Sequence, residues 1–142
     1  MNKEYIKERR SSFNYEISAF FGIDDLGQVR PDKQIFWSIF YKKEPTFHED
    51  PRFKQDRETV CPDAIVHHEF THVVHFWTYD GVTLDQIYRA MQGEVWSPNG
   101  EARGLIRALG LQHTSMSVGD VIYNVTTGQM FEVAMSGFND IS

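Results

Sequence analysis

A chain of 142 residues is long enough for one domain with a single core, and its twenty aromatic side chains (eleven Phe, six Tyr, three Trp) make that core rich in rings. The net charge of −6 sits unevenly: residues 1–60 carry eleven basic and eleven acidic groups, while residues 61–142 carry nine acidic groups against Arg89, Arg103 and Arg107. An acidic half so short of cations grips phosphates poorly, which argues against direct nucleic-acid binding.

Cys61 is the only cysteine and excludes an internal disulfide. No apolar leader precedes the first charged residues, and no apolar run approaches the length of a membrane span. These features predict a soluble, cytoplasmic chain with no membrane partner.

Residues 2–10 read as a short charged helix or a frayed arm. Phe13 to Phe21 alternates with period two, with Phe13, Tyr15, Ile17, Ala19 and Phe21 on one face, and reads as a strand. Gly22 to Pro31 is a turn-rich connection. Gln34 to Tyr41 is a second strand, apolar on both faces apart from Ser38, which suits a central position. Lys42 to Glu58 is a long charged segment with Pro45 and Pro51, of a length that in a compact domain is often functional.

The run from Ile65 to Trp77 contains His68-Glu69-Phe70-Thr71-His72, an H-E-x-x-H pattern. On a helix the i, i+4 spacing sets two imidazoles on one face with a carboxylate between them, the arrangement that resembles zinc metalloproteases. Pro62 and Asp63 suit a helix start, and Val66, Phe70, Val73, Val74 and Trp77 form an apolar stripe. In that reading His68 and His72 are ligands, Glu69 is the general base, and Glu101 or Glu94 supplies a third ligand, with His113 and His75 as further candidates. Asn99-Gly100-Glu101 resembles the Asn-Glu pair of one zincin clan, split by a glycine. A structural metal site on Cys61, His67, His72 and His75 is a further alternative.

On a strand, by contrast, His68 and His72 stand about 13 Å apart, beyond the reach of one metal. Almost every residue from His67 to Tyr79 is β-branched, aromatic or His, and the run ends at the turn Asp80-Gly81. The strand is the preferred expectation, with no cofactor; the zinc helix is its competitor.

Thr83 is placed to cap a helix through Leu84, Ile87, Tyr88 and Met91, with Gly93 near its end. Ser97-Pro98 offers an N-cap and a proline start for a second helix through Leu105, Ile106 and Leu109 to Gly110. Met116 to Val125 and Met130 to Met135 read as two strands of a hairpin turning at Thr126-Thr127-Gly128. The expected architecture is α+β: one compact domain, a mostly antiparallel sheet, two central helices and a C-terminal hairpin.

The stretch His113-Thr114-Ser115-Met116-Ser117-Val118-Gly119-Asp120-Val121-Ile122, followed by Gly128, Phe131-Glu132-Val133 and Gly137-Phe138, is similar to the ending of YodL-like domains and of many small phage and mobile-element proteins. Upstream, His72–Gly81 followed by Thr83-Leu84-Asp85 fits their strand-turn-helix layout. The likeness covers roughly residues 70–142 and leaves a β-rich N-terminal part, residues 1–60, unmatched. Met116 and the insert from Trp96 to Gln112 depart from it. The resemblance implies a strand at His72–Tyr79 and a non-catalytic accessory role directed at a host or phage protein partner.

Ser117 or Asp120 can bond nearby backbone N–H groups, and Gly119 permits a turn before Val121 and Ile122 begin a strand. The expected interaction surface is Trp96, Asn99, Glu101 and Arg103 at the helix entrance with His113, Ser115 and Asp120 from the motif. Oligomeric state stays open.

Overall fold

The computed structural model describes residues 3–23, 33–43 and 70–142. Its elements run α1 (Lys3–Phe20), β1 (Gln34–Lys42), β2 (Phe70–Tyr79), α2 (Leu84–Ala90), α3 (Gly93–Trp96), α4 (Arg103–Ala108), β3 (Val121–Asn124), β4 (Gln129–Val133) and β5 (Phe138–Asp140). The five strands form one antiparallel sheet in the order β2-β1-β3-β4-β5, the α+β arrangement expected. β1 is an interior strand, as its two apolar faces required. No helix among the described residues is long and apolar enough to cross a membrane.

Strand alternation divides the sheet into two faces. Trp37, Ile39 and Tyr41 of β1 share a buried cluster with Val74 and Phe76 of β2, Ile122 of β3 and Val133 of β4. The helices bury their apolar residues in the same cluster: Phe13 and Ile17 from α1, Ile87 from α2, Trp96 from α3, Leu105 and Ile106 from α4. The opposite face carries a second, smaller cluster of Phe40, Val121 and Met130, packed by Phe70 and Tyr123.

The strand expected at Phe13–Phe21 is instead the second half of an 18-residue helix. Lys, Glu and Arg dominate its first turns and are good helix formers. The apolar residues chosen for one strand face also contain a helical stripe, since Phe13, Ile17 and Phe21 stand at i, i+4 and i+8. Phe13 and Ile17 are the buried members, and the Phe13 ring meets Trp96 edge to face at 5.2 Å.

The Thr83 cap forms as expected: Gln86 N–H donates to Thr83 Oγ1 at 3.2 Å, and Thr83 N–H donates back to Gln86 Oε1 at 2.8 Å. Gly93 does not close α2 but opens α3, and Ser97-Pro98 does not start α4, which begins at Arg103. Ser97 Oγ still accepts the Ala102 N–H at 2.8 Å and so steadies the turn before that helix. The hairpin is present, with strands shorter than expected: Met116–Asp120 is loop, and β4 stops at Val133. The closing strand β5, beside β4, was not expected.

Candidate functional site

Two regions gather polar and aromatic side chains around the described sheet. The first is the loop His113–Asp120. The Asp120 carboxylate is 1% exposed and accepts three bonds: Lys42 N–H at 2.7 Å on Oδ1, Ser117 N–H at 2.7 Å on Oδ2, and His113 Nε2 at 3.2 Å on Oδ2. It ties the end of β1 to the turn that launches β3, and Gly119, at φ +96°, supplies the left-handed conformation of that turn.

The His113 ring lies parallel to Tyr41, centroids 4.9 Å apart. The Tyr41 hydroxyl donates to Thr114 O at 2.6 Å, and the Trp96 indole N–H donates to the same carbonyl at 3.1 Å. Burial, reinforced by the Asp120 charge, raises the Tyr41 pKa well above its ordinary value, so the phenol stays a donor. Ser115 Oγ accepts the Gly93 N–H at 2.7 Å and holds the start of α3. Of the motif residues expected to face a partner, Asp120 is inside and Ser115 is bonded to α3; His113 is part-exposed above Tyr41.

The residues of the Trp96–Arg103 segment separate. Trp96 is buried and Glu101 is exposed, yet both line a groove of about 260 Å³ between α1 and the α3–α4 connection. Its remaining lining is Ile17, Ala90 and Val95 with Glu16, Phe20 and Pro98. Phe20 is 61% exposed. Arg9 reaches the Glu101 carbonyl at 3.4 Å, with its guanidinium 4.9 Å above the Phe13 ring. Asn99 and Arg103 line a separate, more polar depression with Glu94, Ser97 and Thr114. Glu101 Oε1 accepts the Asn99 N–H at 2.6 Å.

The second region is the β2 edge of the described sheet. β2 is the outer strand, and α1 runs along it. Asn14 Oδ1 accepts the His75 N–H at 2.9 Å, Ser18 Oγ accepts the Trp77 N–H at 3.0 Å, and Tyr79 Oη donates to Gly22 O at 3.2 Å. Arg10 donates to Val73 O at 3.1 Å and His72 O at 2.9 Å. The spacing is a geometric match. Four helical residues rise about 6 Å and two strand residues about 6.6 Å, so positions 10, 14, 18 and 22 meet 73, 75, 77 and 79 in step.

That one guanidinium meets two successive carbonyls follows from a β-bulge. Ile39 pairs with Val74 and Phe40 with His72, so Val73 is an extra residue in β2. The bulge also resets the alternation: Val73 and Val74 are both buried in the core, and His72 and His75, three residues apart, emerge on the same face. Their rings are nearly parallel, joined by a 3.2 Å contact from His72 Nε2 to His75 Nδ1. Phe40 packs against His72 and Phe36 against His75. Burial, with the Arg10 and His75 charges adding, lowers the His72 pKa well below its usual value; the Val74 backbone opposes in part.

His72 therefore lies on a strand, the preferred expectation, in the segment the zinc reading required to be helical. Cys61, His67, His68 and Glu69 lie outside the described residues, as do residues 44–58 of the long charged segment. Among the described residues, no three His, Cys, Asp or Glu side chains gather as metal ligands.

Sequence reasoning missed Arg10, Asn14 and Ser18 at the sheet edge and Glu16 and Phe20 at the groove. The polar stripe at i, i+4 and i+8 was the signal, hidden by assigning half of that helix to a strand. Compared with known proteins, the chain matches no family model, no curated protein and no solved structure.

Proposed function

We propose that this chain is a non-catalytic accessory protein, of the phage or mobile-element kind its C-terminal half resembles, that binds a host or phage protein partner. The groove between α1 and the α3–α4 connection carries this reading. An exposed Phe20 stands beside an apolar floor of Ile17, Ala90 and Trp96, with the carboxylates of Glu16 and Glu101 at the rim. An apolar centre within a charged rim is how protein interfaces are built, and a buried aromatic anchor commonly carries most of the binding energy. The rim charges select a partner that presents an apolar side chain next to Lys or Arg.

The test is photo-crosslinking from position 20 in the native host, compared with Phe20→Asp and Glu16→Lys chains that melt like the wild type. One partner, crosslinked at position 20 and lost in both variants, is the expected result. Capture indifferent to both substitutions overturns the reading.

A further inference from the structure

The two histidines of β2 form a chain with a direction. The His75 backbone N–H is an unambiguous donor, and Asn14 Oδ1 accepts it at 2.9 Å. The Asn14 amide is thereby fixed, because turning it round sets an NH2 group against that N–H. Its Nδ2 then points a proton at His75 Nε2, 3.2 Å away, so Nε2 is the bare nitrogen.

A ring with a bare Nε2 carries its proton on Nδ1, and from there His75 donates to His72 Nε2 at 3.2 Å. With its Nε2 accepting, His72 must in turn hold its proton on Nδ1. That Nδ1 is buried, in a residue only 5% exposed, and among the described residues it has no hydrogen-bond partner. A buried N–H without an acceptor is costly and rare.

We infer that Asn14, acting through His75, sets His72 Nδ1–H as a fixed hydrogen-bond donor, so that the position beside it takes an oxygen acceptor, a carbonyl or carboxylate, and refuses a divalent cation. A metal needs a lone pair, and the one lone pair on His72 is engaged by His75. To free Nδ1 for a metal, every proton in the chain must reverse, which leaves His75 Nε2–H facing the Asn14 NH2. The Arg10 guanidinium, bonded to the His72 carbonyl, adds a positive charge that an oxygen acceptor tolerates and a cation does not.

Asn14 is on this account a polarity-setting residue, and Asn14→Asp reverses it. A carboxylate accepts from both His75 N–H and His75 Nε2–H, so both rings switch tautomer and His72 Nδ1 is left with a lone pair. This is the carboxylate–histidine arrangement that supports metal ligation.

The experiment is imidazole 15N NMR at neutral pH on the full chain, wild type and Asn14→Asp, each with zinc and with formate as probes. In the wild type, both rings are expected to be Nδ1–H tautomers, with His72 Nδ1 moved by formate and unmoved by zinc. Asn14→Asp is expected to give Nε2–H rings and a His72 that responds to zinc. A wild-type His72 protonated on Nε2, responsive to zinc, or indifferent to formate overturns the assignment. The wild-type spectrum decides the matter even where the variant does not fold.

Discussion

Asp120 shows how much of one loop a single buried carboxylate organises. Replacing it with Asn keeps the shape but sets an NH2 where an oxygen now accepts a backbone N–H. Asp120→Asn is expected to cost about 1–3 kcal/mol, read as a lower urea midpoint with unchanged slope. His72 gives a pH dependence whose sign follows from its depressed pKa. Unfolded imidazole takes a proton near pH 6.5, while folded His72 resists until lower pH, so acidification favours the unfolded chain. Its contribution is complete above about pH 6.5 and is lost as the pH falls towards the folded value. Melting temperatures followed downward from neutral pH are expected to fall less steeply in His72→Gln than in the wild type. The sequence made the structural role of Asp120 legible, since Ser-Val-Gly-Asp before a strand invites side-chain bonds to backbone. It could not reveal the His72–His75 pair, because nothing in a string of letters marks Val73 as an extra residue.

At the scale of elements, α1 covers the edge of the sheet. An outer strand leaves a row of N–H and C=O groups open to pairing with another chain, and here side chains of a helix in step with the strand occupy them. The double variant Asn14→Ala, Ser18→Ala is expected to speed amide exchange at His75 and Trp77 selectively and to raise self-association. Equal exchange in both proteins would contradict the covering role. Phe13→Ala, which removes a ring buried against Trp96, is expected to destabilise by about 3–5 kcal/mol. The helix itself was misread from Phe13 onward because positions 13, 17 and 21 satisfy period two and the i, i+4 rule together. The α2 cap was plain because Thr83 and Gln86 signal it locally, without tertiary help. β5 was missed because three residues of mixed polarity are too short to carry a pattern.

For the whole molecule, the helices load one face of the sheet, while His72, His75, Phe36 and Phe40 stand on the other. The excess negative charge follows the second half of the sequence, and Glu101 brings part of it to the groove that α1 helps to form. Binding of a partner at that groove is expected to weaken as salt rises from low to physiological concentration, mostly through slower association. The charge asymmetry was readable from composition; the groove was not, because its walls lie some eighty residues apart. The bulge in β2 also decides where this chain can change length. Removing Val73 alone leaves Phe40 facing His72 and Ile39 facing Val74, so the ladder closes with both faces in phase. Removing a residue away from the bulge turns the side chains on one side of the cut to the opposite face. One valine of the Val73–Val74 pair is therefore dispensable to the sheet's topology, and a shortened relative that had lost it would keep the strand yet deny Arg10 its second carbonyl.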